Sequence, residues 1–174
     1  MSTLPPVPIA ALPGADSALV QPLMEDFARR QASAGRRVAG VVQARLPDGG
    51  KGAIVLRNIA TGALYPISQD LGKGSVACNL DTDGLASACA AVEEAARQGA
   101  ELIVVSKFSK QEAGRGGLAD AFRIAMAARI PIVTAVSPHY LDEWAAFAGP
   151  LAEFVTPDMA ALERWWRNAC PRHD

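Results

Sequence analysis

Short apolar runs alternate along this chain with longer stretches whose apolar positions recur at helical spacing, the pattern of strands alternating with amphipathic helices. Val7 to Leu12 reads as a buried strand closed by Pro13-Gly14. Leu23 and Phe27 continue helically to Gly35, and Pro22 cannot sit in a helix interior, so that helix is expected either to begin near Val20 or Gln21 or to be kinked there. Val38 to Ala44 predicts a second strand. Ala53 to Asn58, reached through the turn LPDGGKG, and Leu64 to Ile67 predict a meander attached to the main sheet. Ser68 to Asp81 has little periodicity and reads as a loop. Leu85, Ala88, Cys89, Val92, Ala95 and Ala96 lie at helical spacing between a cap at Asp81 or Thr82 and a stop at Gly99. Leu102 to Val105 is then a strand core, followed by a polar turn and a glycine-rich run. Leu118 to Ala128 predicts a helix and Pro131 to Val136 a strand. A helix around Leu141 to Phe147, an edge piece at Phe154-Val155 and a last helix from Asp158 to Asn168 complete the chain.

Strands separated by helices imply parallel crossovers. The expected fold is α/β, a three-layer, Rossmann-like domain with a mostly parallel sheet and an antiparallel hairpin extension. Its 174 residues, 50% of them hydrophobic, suit one domain preceded by a loose arm over residues 1–6.

Charge narrows the range of partners. Seventeen Lys plus Arg stand against eighteen Asp plus Glu, so no global field draws the chain to nucleic acid or an anionic membrane, and any anion site is local. The sequence has no basic leader followed by a long apolar stretch and no run of eighteen apolar residues, which sets the expectation of a cytoplasmic protein. Cys78, Cys89 and Cys170 lack metal-binding spacing, so neither a zinc site nor a disulfide framework is expected.

The candidate chemistry gathers on the stretch ELIVVSKFSKQEAGRGG, Glu101 to Gly117. Ligands of open α/β sheets collect beyond the carboxyl ends of strands, which puts Ser106, Lys107, Ser109, Lys110, Glu112 and Arg115 at such a place. A nucleotide hydrolase would present carboxylates there to hold Mg²⁺. Ser106-Lys107 reverses the charge and favours an oxyanion; the equal alternative is that Lys107, Lys110 and Arg115 are simply solvated side chains of a surface loop. Gln43 at the end of the second strand, and Gln69, Lys73 and Ser75 in the loop after the meander, are further candidate donors. The turn LPGADSALVQPL occupies the place of a phosphate loop but lacks its lysine and hydroxyl, and Asp16 would repel phosphate. Cys78 reads as a small hydrophobe or soft ligand, and His139 as an acid/base group without a visible partner. Trp144, Trp165 and Trp166 read as packing or interface residues.

VAGVVQ (Val38 to Gln43), ISQDLGKGSVACNLD (Ile67 to Asp81), VVSKFSKQEAGRGG (Val104 to Gly117) and PIVTAVSPHYLDEWAAFAG (Pro131 to Gly149) together resemble a bacterial domain family described as nucleoside-triphosphatase-like and met in molybdenum-transport or nitrogen-fixation settings. The chain departs from that family's pattern at Ser106, where asparagine is more typical, at Ser109, where glycine is, and in lacking cysteines near Gly52 to Leu56. More distantly, the order of parts is similar to the small thermophile-type nucleoside triphosphatases. In that comparison Ser106 and Lys107 fall on an acidic pair and Lys110 and Glu112 match a K-x-E, while the phosphate-loop lysine has no counterpart. The resemblance implies the fold of a P-loop NTPase with its catalytic residues replaced.

The leading expectation is therefore a non-hydrolytic protein that binds a small oxyanion or phosphorylated ligand. A role in molybdenum metabolism is what the resemblance implies. The sequence names no cofactor and no metal. Two other readings stand beside it. One is a divergent nucleoside triphosphatase or phosphotransferase in which Glu112 or Asp70 replaces the acidic pair. The other is an interaction module using the Trp165-Trp166 helix as a partner or homo-oligomer face.

Overall fold

The computed structural model describes residues 7–14, 18–45, 54–67 and 82–170. Its elements are β1 (Ile9–Pro13), α1 (Val20–Ser33), β2 (Val38–Arg45), β3 (Ile54–Asn58), β4 (Leu64–Pro66), α2 (Thr82–Arg97), β5 (Leu102–Phe108), α3 (Lys110–Ala113), α4 (Ala119–Ala127), β6 (Ile132–Val136), α5 (Leu141–Ala148), β7 (Ala152–Phe154) and α6 (Met159–Ala169). Single 3₁₀ turns, Pro138–Tyr140 and Gly149–Leu151, flank α5. The strands form one seven-stranded sheet in the order β4-β3-β2-β5-β6-β1-β7. From β2 to β7 neighbouring strands are parallel, and β3 and β4 extend the sheet antiparallel beyond β2. This is the expected architecture, including the meander.

Alternation along the strands divides the core between the two faces. Ile103 and Val105 of β5 join Leu85, Ala88 and Val92 of α2, Ala121 and Phe122 of α4 and Trp144 of α5. Leu102 and Val104 join Met24 and Phe27 of α1 and Leu162, Trp165 and Trp166 of α6. Residues one apart on a strand thus pack under different helices, and a central strand buried on both sides reads as the continuous apolar run LIVV. Pro22 is the third residue of α1, within the first turn, where no intrahelical partner for its nitrogen is required. The side chain of Asp158 caps α6 by accepting the Ala161 N–H at 2.7 Å.

Two expectations are corrected. The strand that opens the organising stretch does not end at Val105. It runs on through Ser106, Lys107 and Phe108, because Phe108 is fully buried against Phe122 and Trp144 and anchors three more residues to the sheet. The tryptophan pair of α6 does not form a free face. Trp165 and Trp166 are each only 5% exposed, and the Trp166 ring meets Phe27 edge-on at 6.3 Å. These indoles hold α6 against α1.

β2 and β5 approach so closely that Gly40, at φ +121°, has no room for a side chain. A Cβ there would lie 2.0 Å from the Val104 carbonyl oxygen. Gly40→Ala is expected to lower stability by more than about 3 kcal/mol through backbone strain and displacement of the strand pair. Urea denaturation measures this, and a variant of near-native stability would show that β2 and β5 do not pair in this register.

Candidate functional site

The carboxyl ends of β2 and β5 diverge just where the sequence places the candidate chemistry. Their ladder covers Val38–Leu102, Ala39–Ile103 and Gly40–Val104 and goes no further. Beyond it the side-chain amide of Gln21, from the first turn of α1, fills the gap. Its Nε2 donates to the Ser106 carbonyl at 2.7 Å, and its Oε1 accepts from the Gln43 main-chain N–H at 2.9 Å. One carboxamide thus replaces the missing rung between two strands, at a position only 3% exposed. On the other side of β5 the pairing with β6 slips. Val105 stands opposite Thr134 but Phe108 stands opposite Val136, so Ser106 and Lys107 lie in a bulge with one residue more than its partner strand. Bulges re-aim side chains at the rim of a sheet. Here Ser106 is 2% exposed with its carbonyl taken by Gln21, and Lys107 next to it is half-buried at the strand's end.

The segment that follows is a built turn. Glu112, 5% exposed, accepts the Ser109 N–H at 3.1 Å on Oε2 and the Leu118 N–H at 3.0 Å on Oε1. Ser109 and Glu112 form a capping box around the single turn of α3. Gly117 sits directly against this carboxylate, at φ +55° and with space for a Cβ only 2.5 Å from Oε1. Bonds from Gly116 N–H to Gln111 O and from Arg115 N–H to Glu112 O close a Schellman motif, whose left-handed position is held by Arg115 at φ 67°. The same motif ends α4 with Arg129 at φ 62°, so the fold tolerates arginine in that conformation.

The predicted site residues therefore separate into distinct roles. Lys107, Lys110 and Arg115 form no ion pair among the described residues, and Lys110 and Arg115 are exposed. Ser109 is half-buried, with its Oγ 3.4 Å from Glu112. Glu112 is committed to the turn. Gln43 lines an open cleft of about 580 Å³ with Ala18, Pro22, Glu25, Arg29 and Arg57, in which Glu25 pairs with Arg29 at 2.6 Å and Arg57 at 3.0 Å. Glu112 and Arg115 line a different cleft, with Phe108, Arg123, Glu143 and Phe147. Among the described residues Gln43 and Arg115 thus line different clefts. Gln69, Asp70, Lys73, Ser75 and Cys78 lie outside the described residues, as do Asp16 and Ser17. His139 is exposed on the 3₁₀ turn after β6. Burial pushes the Cys89 thiol up, and pushes Cys170 up to about 11 against a partial pull from Arg36, so neither is a thiolate near neutrality. Among the described residues no group of three or more His, Cys, Asp or Glu side chains could hold a metal ion.

The family described as a protein of unknown function, DUF2478, matches residues 9–165. The chain belongs to the DUF2478 family. A curated relative of this DUF2478 chain is the molybdenum import ATP-binding protein ModC 2 of Bradyrhizobium diazoefficiens, 40% identical over 152 residues. That match covers 86% of this chain and 17% of the relative, so the chain spans only that fraction of the longer protein. Among solved structures, THEP1 from the hyperthermophile Aquifex aeolicus superposes with a TM-score of 0.57 at 15% identity, over 88% of this chain and 90% of that one. The DUF2478 chain therefore has the fold of a P-loop NTPase, as both resemblances implied. No helix among its described residues is long and apolar enough to cross a membrane.

Gln21 escaped attention in the sequence, although its position carried a signal. With Met24, Phe27, Ala28 and Gln31 it lies on the buried face of α1, and a polar side chain on such a face needs hydrogen-bond partners. Gln21→Leu leaves the Ser106 carbonyl and the Gln43 N–H without this partner and is expected to cost about 2–4 kcal/mol in chemical denaturation. Glu112→Gln sets an amide N–H against one of two main-chain donors and is expected to cost about 1–3 kcal/mol. A Glu112→Gln protein as stable as the parent would show that the carboxylate does not organise the turn.

Proposed function

We propose that this domain binds a small oxyanion or phosphorylated ligand without hydrolysing it, as an accessory to molybdenum import. The observation that carries the reading is the bulge at Ser106-Lys107, which sets a half-buried cation, without an ion-pair partner among the described residues, one residue before the end of β5. A lysine in the crevice beyond parallel strands attracts an anion, whereas holding Mg²⁺ for nucleotide hydrolysis takes carboxylates. Lys110 and Arg115 add charge on the adjoining turn. Molybdate, sulfate and phosphate are all satisfied by such donors, and the choice of molybdate rests on the ATP-binding relative's stated role in molybdenum import.

A nucleoside triphosphatase reading has the THEP1-like fold in its favour. It loses Glu112 as a replacement for the acidic pair, since both of that carboxylate's oxygens accept main-chain N–H groups. Substitution of Glu112 would therefore disturb the turn before it reported on any chemistry.

A thermal-shift panel of molybdate, tungstate, sulfate, phosphate, and nucleotides with and without Mg²⁺ tests the proposal. A ligand at a hundred times its Kd adds about 2.7 kcal/mol, or roughly 5–10 °C for a domain of this size. The expected outcome is a shift with an oxyanion, abolished in Lys107→Ala and reduced in Arg115→Gly. The latter removes the charge while suiting its left-handed backbone position. A shift with Mg²⁺-nucleotide alone would overturn the reading in favour of the hydrolase, and a flat panel would overturn both.

A further inference from the structure

Among the described residues, Ser106, Ser109 and Ser137 stand at the carboxyl edge of the sheet, and their hydroxyls are not alike. Ser109 places its Oγ 3.4 Å from Glu112 inside the capping box, and the Ser137 Oγ accepts the His139 main-chain N–H at 3.5 Å. Ser106 is only 2% exposed, yet its hydroxyl has no hydrogen-bond partner among the described residues. The bond that Ser106 does make, its carbonyl accepting from Gln21 Nε2 at 2.7 Å, uses the main chain and pins the residue in the bulge. Nor is the hydroxyl sealed in. Among the described residues only Trp144 Nε1 is both fully enclosed and unpartnered, so the little of Ser106 that is exposed includes its Oγ. A polar group kept on a buried residue without a partner costs stability, and alanine would sit in the same place without that cost.

We propose that the Ser106 hydroxyl donates directly to an oxygen of a free tetrahedral oxyanion whose charge Lys107 neutralises, which makes Ser106 the residue that orients the ligand. This inference rests on the oxyanion reading above and assigns its inner contact. Lys107 is the next residue, its α-carbon about 3.8 Å away, and its flexible four-carbon stem lets the ammonium meet a second oxygen of the same anion. A hydroxyl donating to an ionised oxygen makes a short, strong hydrogen bond. It also supplies direction, which a mobile point charge does not. Glu112, the carboxylate that follows the pair in the chain, is turned onto the N–H groups of Ser109 and Leu118.

Calorimetric titration of molybdate and of sulfate into the full chain, at low and at physiological sodium chloride, tests the assignment. In Ser106→Ala the affinity is expected to fall about tenfold or more with its salt dependence unchanged, because a neutral donor is lost. In Lys107→Gln the affinity also falls, and its salt dependence becomes shallower, because a charge is lost. The ligand-free Ser106→Ala protein is expected to melt at the wild-type temperature or above, since no internal hydrogen bond is removed. Binding by Ser106→Ala as tight as wild type overturns the inference and leaves the oxyanion reading standing. A lower melting temperature for ligand-free Ser106→Ala also overturns it, by showing that the hydroxyl serves the fold. Failure of the wild type to bind either anion overturns the inference and that reading together.

Discussion

Two strands that must part at their ends, yet cannot leave their polar groups bare, set the terms for the rest of this domain. β2 and β5 are drawn together at Gly40 and Val104 and diverge immediately afterwards. In a buried position each unpaired main-chain group costs about 1–3 kcal/mol. The carboxamide of Gln21 answers both, because an amide offers a donor and an acceptor on one short side chain. It also couples three elements: the first turn of α1, the end of β2 and the bulge of β5. The cation at Lys107 is thereby presented from a fixed support, next to a carbonyl that cannot move without breaking a buried hydrogen bond.

The layered fold was legible in the sequence because it rests on periodicity. LIVV in β5 and IVTAV in β6 are continuous runs because both faces are covered, whereas the helices carry apolar stripes on one side. The ends of elements were less legible. The polarity of Ser106 and Lys107 suggested a turn, but the burial of Phe108 beyond them keeps the chain in the sheet, and the conflict is resolved by the bulge. Trp165 and Trp166 were equally ambiguous, since adjacent indoles at helical spacing suit a core and an interface alike, and only the position of α1 decides.

The candidate site was legible as a list of residue types but not as a division of labour. Glu112 and Arg115 stand three apart in the same glycine-rich run, and the one sequence signal that separates them, the Ser109-x-x-Glu112 capping pattern, is easily read as ligand chemistry. The structure turns the carboxylate inward onto the N–H groups of Ser109 and Leu118 and leaves the guanidinium at the surface. Gln43 and Arg115, joined in one expected site, line separate clefts because β5 and its turn stand between α1 and α4. Gln21 was the reverse case: a residue with an evident burial signal and no chemistry attached to it.

The internal fastening of the glycine-rich turn has an energetic consequence. Many anion-binding loops are ordered only when the anion arrives, and part of the binding free energy is then consumed in fixing the backbone. Here a carboxylate of the chain already occupies the main-chain donors of Ser109 and Leu118, so this turn has its shape before any ligand comes. A ligand at this rim would meet a preformed turn and spend none of its binding free energy on ordering it.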